Sequence, residues 1–251
     1  MSGARIVEEA IVLGAVDYGE SDRVVTLLTR GHGRIGAFAA GARRSRRRFA
    51  GALEPFTRLR VELTERRGDL LFLDSCTVVD AHAGLRADLA RLGHAGHAAE
   101  LARELCRERE ANEALFLLLA AYLEALAGRE ADPSALLAYE LAALDRAGVA
   151  PRFADCAICG AAAGAGALFD PGHGGAVCAA CVPGAHPGAV RAEAATLAAA
   201  HRLQRAAPFD AAIEDPRVRA RVRELVRRFT HHLTGRRQRS LDFLAQVGVE
   251  G

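Results

Sequence analysis

Two sets of residues in this chain could carry chemistry. The first is four cysteines in two pairs, Cys156-Ala-Ile-Cys159 and Cys178-Ala-Ala-Cys181, with eighteen residues between the pairs. Two residues between thiolates let one tight turn present both sulfurs to the same ion, and two such turns complete a tetrahedron. Gly160, directly after Cys159, suits a turn that aims backbone N–H groups at sulfur. The spacing therefore predicts one Zn2+ on Cys156, Cys159, Cys178 and Cys181. Four thiolates leave no position for water, which makes the ion structural rather than catalytic. A redox pair and two disulfides are the competing readings. The first needs one Cys-x-x-Cys beside a βαβ pattern, and the second needs an exported chain. A zinc deaminase would carry His-x-Glu and Pro-Cys-x-x-Cys, but Asp155 precedes Cys156. Cys76 and Cys106 fall inside an expected strand and helix, as small buried hydrophobes. His173 would join the ligands only if a cysteine left the set.

The second set is arginine. All 33 basic residues of the 251 are arginine; lysine is absent. Walker-type phosphate loops, Schiff bases and pyridoxal phosphate attachment all need a lysine, so these classes are excluded. Ala42-Arg43-Arg44-Ser45-Arg46-Arg47-Arg48-Phe49 puts five guanidiniums in six positions. So dense a run is not buried, since each charge would need an anion. A phosphate backbone supplies those anions, and counterion release supplies free energy. An acidic protein partner is the other reading. Phe38, Phe49 and Phe56 flank the run and could stack on bases or pack in the core. A second patch is helical: Arg219, Arg223 and Arg227 recur every four residues beside an apolar stripe of Val218, Val222, Leu225, Val226, Phe229 and Leu233. Arg236, Arg237 and Arg239 extend it. A solvated helix face is the alternative there. The net charge of +2 conceals this layout, because residues 1–67 carry +5, 68–215 carry −9 and 216–251 carry +6. Two basic ends around an acidic middle suit a polyanion partner.

Positioning these groups requires two kinds of element. Ile6–Val16, Arg23–Leu28, Arg34–Ala40, Leu59–Thr64 and Leu70–Val79 read as five short strands, separated by turn signals such as Arg30-Gly31-His32-Gly33 and Arg66-Arg67-Gly68-Asp69. Five strands at this spacing predict a small barrel of OB type, a fold that binds oligonucleotides. From Leu85 the period becomes helical. Asn112 caps a helix over Glu113–Leu126, Asp132-Pro133 opens one that runs to about Gly148, and two more cover about 189–206 and 216–234, the latter opened by Asp215-Pro216. Ala167–Phe169 and Ala176–Val177 make a hairpin, and the Ala/Gly-rich stretch 160–167 is loop or linker. The expected class is α+β: an OB-type barrel over 1–80, then a helical domain over 81–251 with the cysteine module inserted at about 155–182. No apolar run reaches membrane-spanning length, and Glu8 and Glu9 interrupt the first apolar stretch, so a soluble cytoplasmic protein without membrane contact is expected.

Several motifs together carry a resemblance. Tyr18-Gly19-Glu20-Ser21-Asp22, Leu27-Leu28-Thr29, His32-Gly33-Arg34, Ala40-Gly41-Ala42-Arg43-Arg44 and Leu53-Glu54-Pro55-Phe56 follow one another in the N-terminal part. Gly174-Gly175-Ala176-Val177-Cys178 and Arg239-Ser240-Leu241-Asp242-Phe243-Leu244 come later. This string resembles the bacterial recombination and repair family RecO over nearly the whole chain. The arginine run stands where the family more often mixes Lys, Pro and Ser, and stretch 160–167 is richer in Ala and Gly. The resemblance implies an OB domain, a helical domain and, in many members, a four-cysteine zinc module. It implies a nucleoid-associated mediator without hydrolytic activity that binds single- and double-stranded DNA and anneals complementary strands. With RecR it would help RecA displace single-strand-binding protein. It marks Arg34, Arg43, Arg44, Arg46, Arg47 and Arg48 as DNA contacts. No motif places the pocket for single-strand-binding protein; region 85–150 is its expected place. Two other functions stay open on the residues alone. One is a zinc-containing scaffold whose arginines grip an acidic protein. The other is a zinc-assisted nuclease, which would need a metal position open to water.

Overall fold

A computed structural model of the chain describes residues 4–45, 48–49, 51–65 and 70–246. Arg46, Arg47 and the expected turn at 66–69 lie outside the described residues. The chain divides into two compact units, Met1–Glu130 and Ala131–Gly251.

In the first unit β1 (Arg5–Tyr18), β2 (Asp22–Thr29), β3 (Gly33–Ala39), β4 (Arg58–Thr64) and β5 (Leu71–Asp80) close a barrel in the order β1-β2-β3-β5-β4. This is the five-stranded OB-like sheet the alternation predicts. β1 is long because it serves two neighbours. Its first half pairs antiparallel with β4, its second half with β2, and an irregularity between Val12 and Gly14 bends it from one to the other. Closure comes from a short parallel pairing, Ala37 with Leu71 and Phe38 with Phe72. Ile35, Ala37 and Ala39 of β3 point inward onto Val25, Leu27, Leu59, Val61, Leu71 and Leu73, while Arg34, Gly36 and Phe38 alternate outward. Phe49, one of the aromatics flanking the arginine run, is 2% exposed and belongs to this core. Cys76 packs against it, and burial pushes its thiol up to about 11; Cys106 is buried as expected. Two helices complete the unit. Asp88 caps α1 (Leu89–Leu105) by accepting the Ala90 N–H, and Asn112 caps α2 (Glu113–Gly128) by accepting the Leu115 N–H at 3.0 Å.

The second unit is built on α3 (Pro133–Arg146), which Asp132 caps with Pro133 in its first turn. Leu136, Leu137, Leu141 and Leu144 are fully buried there. α4 (Ala194–Gln204) and α5 (Pro216–Thr234) pack on α3, and a short α6 (Arg239–Gln246) follows over the Arg239–Leu244 motif, to which the sequence pattern assigned no element. The cysteine module contains the expected hairpin, β6 (Leu168–Asp170) against β7 (Gly175–Val177), with a third strand β8 (Val190–Arg191) on the far side of β6. β8 occupies the start of the helix expected from 189, so α4 begins only at Ala194; Val190 pairs with Phe169 instead of opening a helical turn. The stretch 160–167 folds back on the module, with Ala163 donating to the Ala154 carbonyl and Ala163 and Ala167 buried. Gly175 explains part of the Gly174-Gly175 motif: its φ is 147°, and a Cβ there would sit 2.2 Å from the Arg152 carbonyl oxygen.

Candidate nucleic-acid interface and metal centre

The turn between β1 and β2 holds the start of the arginine loop in place. Asp22 accepts the Gly41 N–H at 2.7 Å and the Ser21 hydroxyl, and Arg43 donates its own N–H to the Ser21 carbonyl. The Gly41 N–H, first among these, holds the Asp22 carboxyl below its ordinary range. Motif residues Ser21 and Asp22 thus pin the start of the basic loop. On it Arg43 and Arg44 are exposed and lie 3.4 Å from Asp17 and 3.5 Å from Glu20, pairs open to water. Such surface pairs are weak, about 0–1 kcal/mol, and exchange readily for another anion. Arg48 donates to the Ala40 carbonyl and covers the Phe49 ring at 5.1 Å. Arg34 is apart from this group. It lies at the opposite end of β3, and the 107–109 segment hydrogen-bonds its backbone on both sides.

Beside the loop runs a row of side chains that no pattern along one strand displayed. Cross-strand register aligns Val16 with Val24, Val24 with Phe38, and Phe38 with Phe72. All four project from the outside of the barrel, and Tyr18 adds its ring edge-on to Phe38 at 5.8 Å; Phe38 meets Phe72 at 5.4 Å. Tyr18 is 61% exposed. Aromatic rings on an OB surface beside guanidiniums are the parts of a base-stacking platform with a phosphate track. The sequence signal was present only as Phe38; Tyr18 and Phe72 needed the register.

On α5 the arginines divide by burial. Arg223, 13% exposed at its side chain, faces Glu140 of α3 at 3.7 Å and donates to the Pro133 carbonyl. Arg219 donates to the Ile213 carbonyl. Arg227 alone of the three is open to solvent, in a pair with Glu224, and Arg228 shares that carboxylate. Packing against α3 turns part of the basic stripe inward, so the three arginines do not form one exposed face. Arg237 is 81% exposed and pairs with Asp242.

The four cysteines converge. Cys156, Cys159, Cys178 and Cys181 offer sulfurs that all lie within 4.8 Å of one another. Cys159 Sγ and Cys178 Sγ are 3.7 Å apart. A tetrahedron of Zn–S bonds of about 2.3 Å has an edge of about 3.8 Å, so the cluster has the size zinc requires. Gly160 returns its N–H to the Cys156 carbonyl, Cys181 to the Cys178 carbonyl, and the Cys178 N–H points at Cys156 Sγ at 3.3 Å. Backbone N–H groups of Cys159 and Cys178 lower the Cys156 thiol to about 6, whereas the sulfurs of Cys159 and Cys178 raise the Cys181 thiol to about 12. Four thiolates at this distance need a cation to neutralise them, and the quartet could hold a metal ion.

The comparisons agree with this architecture. The family model described as recombination protein O N terminal matches residues 1–82, and that for recombination protein O C terminal matches 86–242. The chain belongs to the RecO family. Among its curated relatives, "DNA repair protein RecO" of Myxococcus xanthus (strain DK1622) is 49% identical over 98% of this chain and 99% of its own length. The protein of the same description from Anaeromyxobacter sp. (strain K) is 52% identical over 97% of each chain. That of Geobacter sulfurreducens is 44% identical over 69% of this chain and 71% of its own. Both halves of the RecO pattern are therefore present, and the boundary between the two models falls just after β5. No helix among the described residues is long and apolar enough to cross a membrane.

Proposed function

We propose that this chain is a non-enzymatic recombination mediator in DNA repair, nucleoid-associated in the cytoplasm. It binds single- and double-stranded DNA through phosphate contacts from Arg34, Arg43, Arg44, Arg46, Arg47 and Arg48 and from the exposed part of α5, Arg227 foremost. It anneals complementary strands, and with RecR it helps load RecA onto DNA coated with single-strand-binding protein. The observation that carries this reading is the aromatic row Tyr18, Phe38 and Phe72 beside a pinned arginine loop on an OB barrel, in a chain of the RecO family. Annealing follows from charge: basic groups in both units can neutralise two backbones that otherwise repel. We assign one structural Zn2+ to Cys156, Cys159, Cys178 and Cys181. Bound there, it would neutralise the thiolates and tie the two turns of the module together, with no open position for a reacting water.

Titration with a short labelled oligonucleotide at two salt concentrations tests the DNA reading. Replacing Arg43, Arg44, Arg46, Arg47 and Arg48 with Ala should weaken binding alike on all sequences. The salt slope on single strands should flatten by about 0.7 for each phosphate left unneutralised. Tyr18→Ala should weaken single-strand binding by about 1–3 kcal/mol and leave the slope alone. An unchanged affinity and slope in the arginine variant would sink the reading and favour an acidic protein as the partner of the loop.

A further inference from the structure

A second cluster in the Ala131–Gly251 unit stands apart from the four cysteines. Asp170 closes β6 with its side chain 1% exposed. Its Oδ1 accepts the Gly172 N–H at 2.9 Å, and its Oδ2 accepts the His186 N–H at 2.7 Å and His173 Nδ1 at 2.7 Å. His186 Nδ1 lies 3.2 and 3.1 Å from the two oxygens. Burial alone would raise this carboxyl, but the His186 N–H, the His173 ring and the Gly172 N–H together bring it down to about 2. An ionised carboxylate only accepts, so the proton of each ring sits on Nδ1 and each Nε2 is left at the ring edge away from Asp170. The two rings lie 4.3 Å apart at 35°. Gly172 makes room for this arrangement, because a Cβ there would be 2.5 Å from His186 Nδ1.

His186 lines an open groove whose other wall is α5: Arg227, Arg228, His231 and His232. Besides Asp170, the carboxylate on that side is Glu224, shared by Arg227 and Arg228. A neighbouring groove shares Arg227 and His231 and continues to Arg236, Arg237 and Asp242, the last paired with Arg237. Two guanidiniums disfavour a metal cation here, and a run of cations longer than one ligand fits a chain of anions.

We propose that this groove takes a phosphate of the DNA backbone, held by the protonated Nε2 of the Asp170-oriented His186 imidazole together with Arg227 and Arg228. The proposal deepens the DNA reading and rests on it. Its signature is pH. With Nδ1–H committed to Asp170, a neutral ring presents a lone pair at Nε2, which repels a phosphate oxygen; protonation converts it into a charged donor.

The test is a titration of the full chain with a labelled single-stranded oligonucleotide at about pH 8 and about pH 6, either side of the ordinary imidazole range. Wild type should bind about tenfold tighter at the lower pH, the worth of one charge-assisted hydrogen bond. His186→Gln, at a half-exposed position, should lose the gain, its affinity changing little between the two pH values. Arg43→Ala should weaken binding at both pH values and keep the gain. A pH-flat wild type, or a full gain in His186→Gln, overturns the proposal and leaves the arginine-loop reading intact. A wild type that binds no oligonucleotide at either pH overturns both. Inorganic phosphate at about pH 6 should perturb the His186 imidazole NMR signals only weakly, and the oligonucleotide strongly. The reverse order would assign the groove to free phosphate and overturn the backbone assignment. A second Zn2+ equivalent bound by wild type and lost in His186→Gln would overturn it in favour of a metal.

Discussion

Arg223 and Arg227 lie one turn apart on α5 and answer to different surroundings. Arg223 is nearly enclosed and serves Glu140 and the Pro133 carbonyl, whereas Arg227 stands in water beside Glu224. Removing one partner of a buried pair leaves an uncompensated charge, so Arg223→Ala should cost about 3 kcal/mol in urea unfolding. Arg227→Ala should cost under about 0.5 kcal/mol and act on DNA affinity instead. Asp170 supplies a pH-dependent contribution of known sign. Its folded carboxyl titrates at about 2, below the ordinary value. The stabilisation is therefore full above about pH 4 and is lost as pH falls toward the folded value. The stability gap between wild type and Asp170→Asn should shrink by about 2 kcal/mol over that interval, measured by denaturant unfolding at successive pH values.

Among the elements, the β1–β2 turn and the arginine loop form a working pair. Asp22 holds the Gly41 N–H and Ser21 holds the Arg43 N–H, so the start of the loop through Arg43 is held before any ligand arrives. Asp22→Ala leaves every arginine in place but transfers the cost of ordering to the binding step. Oligonucleotide affinity should drop about fivefold, near 1 kcal/mol, with an unchanged salt slope. A slope that fell with the affinity would mean that the arginines no longer neutralised their phosphates. Gly33, at the other end of β3, is fixed by its neighbours: its φ is 65° and a Cβ would lie 1.9 Å from the Glu110 carbonyl oxygen. The His32-Gly33-Arg34 motif is thus explained by a close backbone approach, and Arg34 is the residue this approach anchors.

For the molecule as a whole, the division into Met1–Glu130 and Ala131–Gly251 separates the OB barrel from the cysteine module. A chelator that removes the proposed Zn2+, or Cys156→Ser, should release the module and reduce amide protection in α3 and α5. Protection in β2 and β3 should persist. Hydrogen exchange resolves the two. Structural zinc sites carry apparent free energies of about 10–16 kcal/mol, so the loss in the second unit should be large. Equal protection in all four elements with and without metal would argue against a structural role.

Local patterns were enough for much of this. Alternation and turn residues marked all five barrel strands within a few positions, Asp132-Pro133 and Asp215-Pro216 marked helix starts, and the Cys-x-x-Cys pairs marked the four sulfurs that converge, because each depends on neighbours a few residues away. The alignment of Val16, Val24, Phe38 and Phe72 depended on register across four strands, and the turning-in of Arg223 on how α5 sits against α3. The meeting of His186 with Asp170 joins residues 16 apart through a module closed by β8. Those are long-range pairings, set by which surfaces bury together, and no window along the chain contains them.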